Sequence, residues 1–177
     1  RSTPLYSSAA SDVYKRQCED LGLRLFGLHA LNSLRLDKGF GTWAREYRPI
    51  YDPFEAGLDR FVKLDKGDFI GRDALVAAHE AGPERRLLTW SVDTEVGRTG
   101  ADVIGDEPIW YDGEVVGWVT SGGYSHHMET SVAMGYIPAG LADASGQFEI
   151  EILGVRRAAT LVDGCLWDPE GDRMRKG

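Results

Sequence analysis

The chain lacks most of what would announce a chemistry outright. It holds two cysteines, Cys18 and Cys165, in 177 residues. Neither has a CxxC neighbour or a histidine at metal-ligand spacing, which excludes a zinc ribbon and leaves a single disulfide as the lesser alternative. Free thiols in a reducing compartment, the cytoplasm, are expected. No stretch approaches the ~18 consecutive apolar residues of a membrane helix. Basic residues are outnumbered, 20 Lys and Arg against 28 Asp and Glu, for a net charge of −8. That balance argues against a nucleic-acid partner, which needs a basic face; a small acidic ligand held by a local basic cluster stays compatible with it.

Catalytic fingerprints are missing too. The stretch GFGTWA (Gly39 to Ala44) lacks the Lys-Ser/Thr ending of a phosphate loop. No GxGxxG follows a strand, and no GxSxG elbow occurs. His126 and His127 are adjacent, and neighbours in an extended chain point to opposite faces. They read as a solvated loop, and no metal site is expected.

What is present has two textures. The opening RSTPLYSSAASDVYKRQ has neither helical nor strand period, no initiator Met and no apolar core of a signal peptide. Residues 1–17 read as a non-native or disordered leader, joined near Cys18 to the C-terminal part of a longer protein, and they carry no fold expectation. From Leu23 onward apolar residues recur: Leu28, Leu31, Leu34 and Leu36 fall close to helical spacing. Gly27 is placed at the start of that helix and Gly39 at its C-cap. Arg35 and Lys38 suit its last turn, where the dipole favours positive charge. Pro49 and Pro53 then force extended or turn geometry. Leu58–Leu64 alternates and is predicted to be a strand. DFIGRDALVAAHEAG is predicted to be a helix with Ala74, Leu75 and Ala78 on its apolar face, ended by Gly82-Pro83.

After Pro83 the pattern becomes short strands and tight turns. RRLLTWSVD and TSVAMGYIP each read as a strand. EPIWYDGEVVGWVTS reads as a hairpin turning at Asp112-Gly113, and QFEIEILGVRRAATLVDG as a second hairpin turning near Leu153-Gly154. The expected class is therefore α+β: residues 18–83 the end of an α/β domain, and 84–177 a small antiparallel β-barrel. Gly117 and the pair Gly122-Gly123 are expected at bulges, bends or close backbone approaches. Two roles stand open for TSGGYS (Thr120 to Ser125): pure architecture, or the lining of a cleft at the barrel edge. Trp43, Arg45 and Glu46 sit in a loop after the helix. An aromatic ring beside a carboxylate can hold a flat heteroaromatic ligand by stacking and hydrogen bonding. The plainer alternative has Trp43 packed under the loop, with Arg45 and Glu46 in solvent.

The ordered series ALNSLRLDKGFGTWARE, PFEAGLDRFVKLDKGDFIGRDAL and IWYDGEVVGWVTSGGYSHHMETSVAMGYIP resembles the aminomethyltransferase (glycine cleavage T-protein) superfamily. It is most similar to the folate-binding half of sarcosine and dimethylglycine dehydrogenases and oxidases. The likeness runs from about Leu21 to Gly171. It implies a module that takes up a one-carbon unit on tetrahydrofolate after a flavin has oxidised an N-methyl amine. FAD would belong to an upstream region, and the partners would be folate, the methylated amine and that flavin domain. Trp43 and Glu46 match an aromatic and an acidic position beside the pterin, so both become candidate cofactor-binding residues. Arg35 matches a family arginine, with a structural role expected. Stand-alone aminomethyltransferases place a folate-holding arginine where this chain has Leu31, which favours the dehydrogenase-linked branch. The family's catalytic aspartate would lie before Cys18, so no catalytic residue is assigned and the segment alone is expected to be inactive. The rivals are a stand-alone aminomethyltransferase and a non-catalytic folate-binding module.

Overall fold

The structure, a computed structural model, describes residues 5–94 and 101–175. The chain divides into two compact units, residues 1–31 and 32–177.

The first unit opens with helix α1, Leu5–Gln17. No helix was expected there, because the segment has no apolar stripe. Its alanines, Lys15, Arg16 and Gln17 are good helix formers, and propensity supplies what periodicity does not. Lys15 and Arg16 occupy the last turn, and Asp12 pairs with Lys15 at 3.7 Å. Beyond it, Leu21, Leu23, Leu25, Phe26 and Leu28 are all exposed. Helix α2 spans Leu28–Asp37, one residue after the expected Gly27, whose carbonyl accepts the Leu31 N–H at 3.0 Å.

In the second unit the six strands close into an antiparallel barrel in the order β1-β4-β3-β2-β5-β6. They are β1 Arg85–Val92, β2 Pro108–Tyr111, β3 Glu114–Ser125, β4 Thr130–Pro138, β5 Phe148–Ile152 and β6 Val155–Leu161. Pairing of Trp90 with Leu161 and of Val92 with Ala159 shuts the ring. Both expected two-residue turns are present. Asp112 and Gly113 have φ of 50° and 85°, and Leu153 and Gly154 have 49° and 79°. Left-handed geometry at both central positions matches the right-handed twist of the flanking strands. The interior is sealed by Trp90, Val92, Ile109, Val119, Phe148 and Ile150.

Strand β5 shows the alternation of a half-buried strand: Phe148, Ile150 and Ile152 are buried, while Glu149 and Glu151 are not. Strand β4 differs, being buried without a break from Ser131 to Ile137. One of its faces looks into the barrel. The other is covered by Leu36 of α2, which clusters with Val132 and Met134, and by Tyr51, which stacks on Tyr136 at 3.8 Å. Strand β3 carries one extra residue against β2 at Val116 and one against β4 at Thr120. These bulges bend it around the barrel, next to the glycines that the sequence singled out. A Cβ on Gly117 would lie 2.0 Å from the Tyr136 carbonyl oxygen, so the strands approach there as closely as backbones can.

Two expectations fail in the connecting segment. Leu58–Leu64 is not a strand; it holds a single 3-10 turn, Asp59–Phe61. A closed barrel has no free edge to pair with, so an alternating segment outside it cannot join the sheet. Helix α3, Arg72–Ala81, ends at Gly82 as expected. Its partly covered residues include Leu75, Val76 and Ala78, while Ala74 is exposed.

Candidate functional site

The site region is built where α2, the loop after it and the barrel meet. Gly39, with φ of 64°, reverses the chain after α2, and Phe40 N–H bonds back to the Arg35 carbonyl at 2.9 Å. The loop then delivers Glu46 into the interior, where it is 0% exposed. One carboxylate oxygen accepts from the Ser121 hydroxyl on β3. The other accepts from the Thr42 backbone N–H at 2.7 Å and from Arg35 at 3.4 Å. Tyr136 of β4 donates its hydroxyl to the Glu46 backbone carbonyl at 2.8 Å. Arg35 is itself held by Asn32 Oδ1 at 2.8–2.9 Å. One buried acid thus ties helix, loop and two strands together.

Burial alone would raise the Glu46 pKa. Donation from Ser121 and Thr42 and the Arg35 charge overcome that, and hold the group below the usual carboxylate range. Burial pulls the Arg35 guanidinium below its ordinary value, and Glu46 offsets part of the effect. Arginine still stays charged at neutral pH. Burial likewise pushes the Tyr136 and Tyr51 hydroxyls upward.

The two residues picked from sequence therefore part company. Glu46 does not face solvent, and both its oxygens already have protein partners. Trp43 does not pack under the loop: it is 74% exposed. Arg45 donates to the Thr120 carbonyl at 2.8 Å, filling the acceptor that the β3 bulge leaves open. TSGGYS is covered by protein along most of its length. Gly122 lies against Val103, and Gly123 against Leu36 and Asn32. Ser33 donates to the Tyr124 carbonyl at 2.8 Å. The architectural role of this stretch accounts for the glycine pair.

A cavity of about 680 Å³ opens on the same flank, lined among others by Lys38, Phe40, Tyr47, Arg60, Met134 and Cys165. It combines two aromatic rings with cationic side chains, the pairing that suits a flat ring bearing an acidic tail. Tyr47 is fixed by its hydroxyl, which accepts the Gly41 N–H at 3.1 Å. Sequence reasoning missed Phe40, Tyr47 and Arg60. Phe40 and Arg60 lie within quoted motifs and Tyr47 just after one, but no regular spacing relates them, since a loop and a turn bring them together. Residues 163–175 after β6 were missed as well. No group of three or more His, Cys, Asp or Glu able to hold a metal occurs among the described residues. His126 and His127 are both exposed. Cys18 and Cys165 are free thiols. No helix among the described residues is long and apolar enough to cross a membrane.

The geometry defines an α+β module: a closed six-stranded barrel with a helix and a loop docked on one flank. Comparison with known proteins places it. Residues 85–168 match the glycine cleavage T-protein C-terminal barrel domain, and residues 7–66 match the GCVT N-terminal domain. The second match begins inside the segment that the sequence reading set aside. Dimethylglycine dehydrogenase, mitochondrial, of Mus musculus is 41% identical over 161 residues, covering 89% of this chain and 18% of that protein. Aminomethyltransferase of Moorella thermoacetica is 36% identical over 141 residues, covering 78% of this chain and 37% of that protein. The crystal structure of glycine cleavage system aminomethyltransferase T from Bartonella henselae superposes with a TM-score of 0.77 at 24% identity, over 88% of this chain and 43% of that one; that likeness speaks to fold alone. The chain belongs to the aminomethyltransferase (glycine cleavage T-protein) superfamily and has dimethylglycine dehydrogenase-like relatives. It spans about a fifth of the length of the dehydrogenase.

Proposed function

We propose that this chain is the tetrahydrofolate-binding, one-carbon-accepting part of a dimethylglycine or sarcosine dehydrogenase-like flavoenzyme. The cavity lined by Phe40, Tyr47 and Arg60 carries the reading. Its aromatic and cationic groups fit the two ends of a reduced folate, a heteroaromatic ring and an acidic tail. Identity to the mouse dehydrogenase exceeds that to the stand-alone transferase, and Leu31 stands where the latter branch carries a folate-holding arginine. The cytoplasm is the proposed location.

In this reading Glu46 is a brace. It holds the loop that offers Trp43, whose unpacked indole is free to stack on the pterin. Folate supplies the amines that take up the one-carbon unit. The chain's own residues hold it ready, so that a reactive carbon is captured before it escapes. FAD would be bound outside these residues, in a preceding flavin domain that also meets the amine. The exposed side chains of Leu21, Leu23, Leu25, Phe26 and Leu28 support such a neighbour, because five large apolar groups left uncovered within eight residues suit an interface. Residues up to 83 and residues 84–177 are proposed as the end of the folate domain and the barrel domain; the family match from residue 7 supports including most of the segment first set aside as a leader in the former.

Titration with tetrahydrofolate, following tryptophan emission of the protein encoded by the whole reading frame, tests the proposal. Quenching is expected in the parent, with weaker responses in Trp43→Ala and Phe40→Ala. Equal responses of parent and Trp43→Ala would remove that ring from the site. No saturable response in the parent would remove the folate reading.

A further inference from the structure

The segment after β6 belongs to no sheet, yet it forms one wall of the large cavity, contributing Gly164, Cys165, Pro169, Glu170, Gly171 and Arg175. Its hold on the rest of the unit converges on the end of α2. The Trp167 N–H bonds to the Asp37 carbonyl at 3.1 Å. Lys38 Nζ donates to the carbonyls of Trp167, at 3.3 Å, and of Asp168. The same ammonium lies 3.6 Å from the Asp168 carboxylate and 5.6 Å from the centre of the Trp167 ring. A lysine ammonium has three donors; two meet carbonyls, and the charge faces a carboxylate.

Asp168 is divided between two tasks. Its Oδ1 accepts the Asp172 N–H at 2.9 Å, closing the last turn. Its Oδ2 is buried with no hydrogen-bond partner, so its compensation is the Lys38 charge. His127 adds an edge-to-face contact on Trp167 at 5.3 Å. The side chains of Lys38 and Asp168 are only 16% and 9% exposed, so water screens the pair little.

We propose that Lys38 is a positioning residue: it pins residues 163–175 as a strap whose closed position completes the cavity, so that ligand affinity depends on a side chain outside the aromatic contacts. That the ligand is a folate rests on the function proposed above; the strap itself does not. Without Lys38, two carbonyls and a buried carboxylate lose their common partner. Charge-assisted hydrogen bonds of this kind shift an equilibrium by roughly tenfold or more.

The experiment compares parent, Lys38→Met, Lys38→Arg and Asp168→Asn in a Cys18→Ser background, in the full-length protein. It reads hydrogen exchange by segment, the rate of Cys165 alkylation, and the tetrahydrofolate dissociation constant. Lys38→Met is expected to speed exchange in residues 163–175 but not in β1–β6, to speed alkylation, and to weaken folate binding about tenfold or more. Asp168→Asn is expected to move the same readouts less, and Lys38→Arg to restore most of the protection. Unchanged exchange and alkylation in both Lys38→Met and Asp168→Asn would overturn the strap. A released strap with unchanged folate affinity would overturn its role in the cavity. If the parent binds no folate, the proposed function falls, while exchange and alkylation still decide the strap. Should Lys38→Met fail to fold, shown by lost protection throughout the barrel, Asp168→Asn decides by the same readouts.

Discussion

The barrel and the loop that follows α2 are held by different forces. The barrel is sealed by apolar burial: Trp90, Val119 and Ile150 are completely inaccessible. Its strands leave no edge among the described residues. The loop from Phe40 to Leu58 buries few large apolar groups beyond Tyr51 and Phe54. It is fixed by directed bonds: Glu46 to four donors, Arg45 to a bulge carbonyl, and Asp52 Oδ1 to the Phe54 and Glu55 N–H groups at 2.8 Å. Burial is non-directional and tolerates repacking, whereas a buried polar junction tolerates no missing partner. The barrel is therefore expected to absorb conservative apolar changes that the loop's buried contacts would not.

The contrast can be broken by attacking each region with its own weakness. Glu46→Ala should cost most, about 3–5 kcal/mol, since it leaves Arg35 buried without its partner; denaturant unfolding measures it. A cost under about 1 kcal/mol, within the range of exposed pairs, would mean that the loop is held by packing after all. Gly117→Ala should follow, at about 3 kcal/mol, because an added methyl meets the backbone of β4 rather than a side chain that can move. A neutral effect there would show that the barrel yields where its strands touch.

A finer probe is pH. Glu46 is held below its unfolded value of about 4.3, so the stability it contributes is fully present above that value. It is lost as pH falls through the folded-state value. Glu46→Gln should lower stability at neutral pH and flatten its loss between about pH 4.3 and stronger acid. A parallel acid limb in parent and variant would remove Glu46 from the linkage. The smallest effect belongs to Trp43→Ala. An exposed ring should leave thermal unfolding within about 0.5 kcal/mol of the parent, whatever it does to folate quenching. A larger loss would show that the indole packs on the protein in solution.

Much of the barrel was legible because its signals are local. Asp112-Gly113 and Leu153-Gly154 mark both hairpin turns by themselves, and the runs of strand-forming residues between turns gave the strands. The strand expected at Leu58–Leu64 had the same local signal and failed for a non-local reason: the ring was already closed. Helix α1 was missed from the other side, since a helix without an amphipathic stripe has no period to read. Of the candidate site residues, Trp43 and Glu46 were picked by residue type, and only their environments separate an exposed ring from a sealed brace. Phe40, Tyr47 and Arg60 carried no spacing signal, and Lys38 was legible only as a helix-end cation.

Sequence by itself determined where the barrel hairpins turn, which segments of the barrel are strands, and which family its ordered motifs resemble, because turn chemistry and strand preference act over a few residues. Only the tertiary structure decided that Glu46 would be buried, that residues 163–175 would wall a cavity, and that Lys38 would hold them there. Those outcomes depend on groups up to 130 positions apart meeting in one place, and no local pattern encodes which partner a buried charge will find.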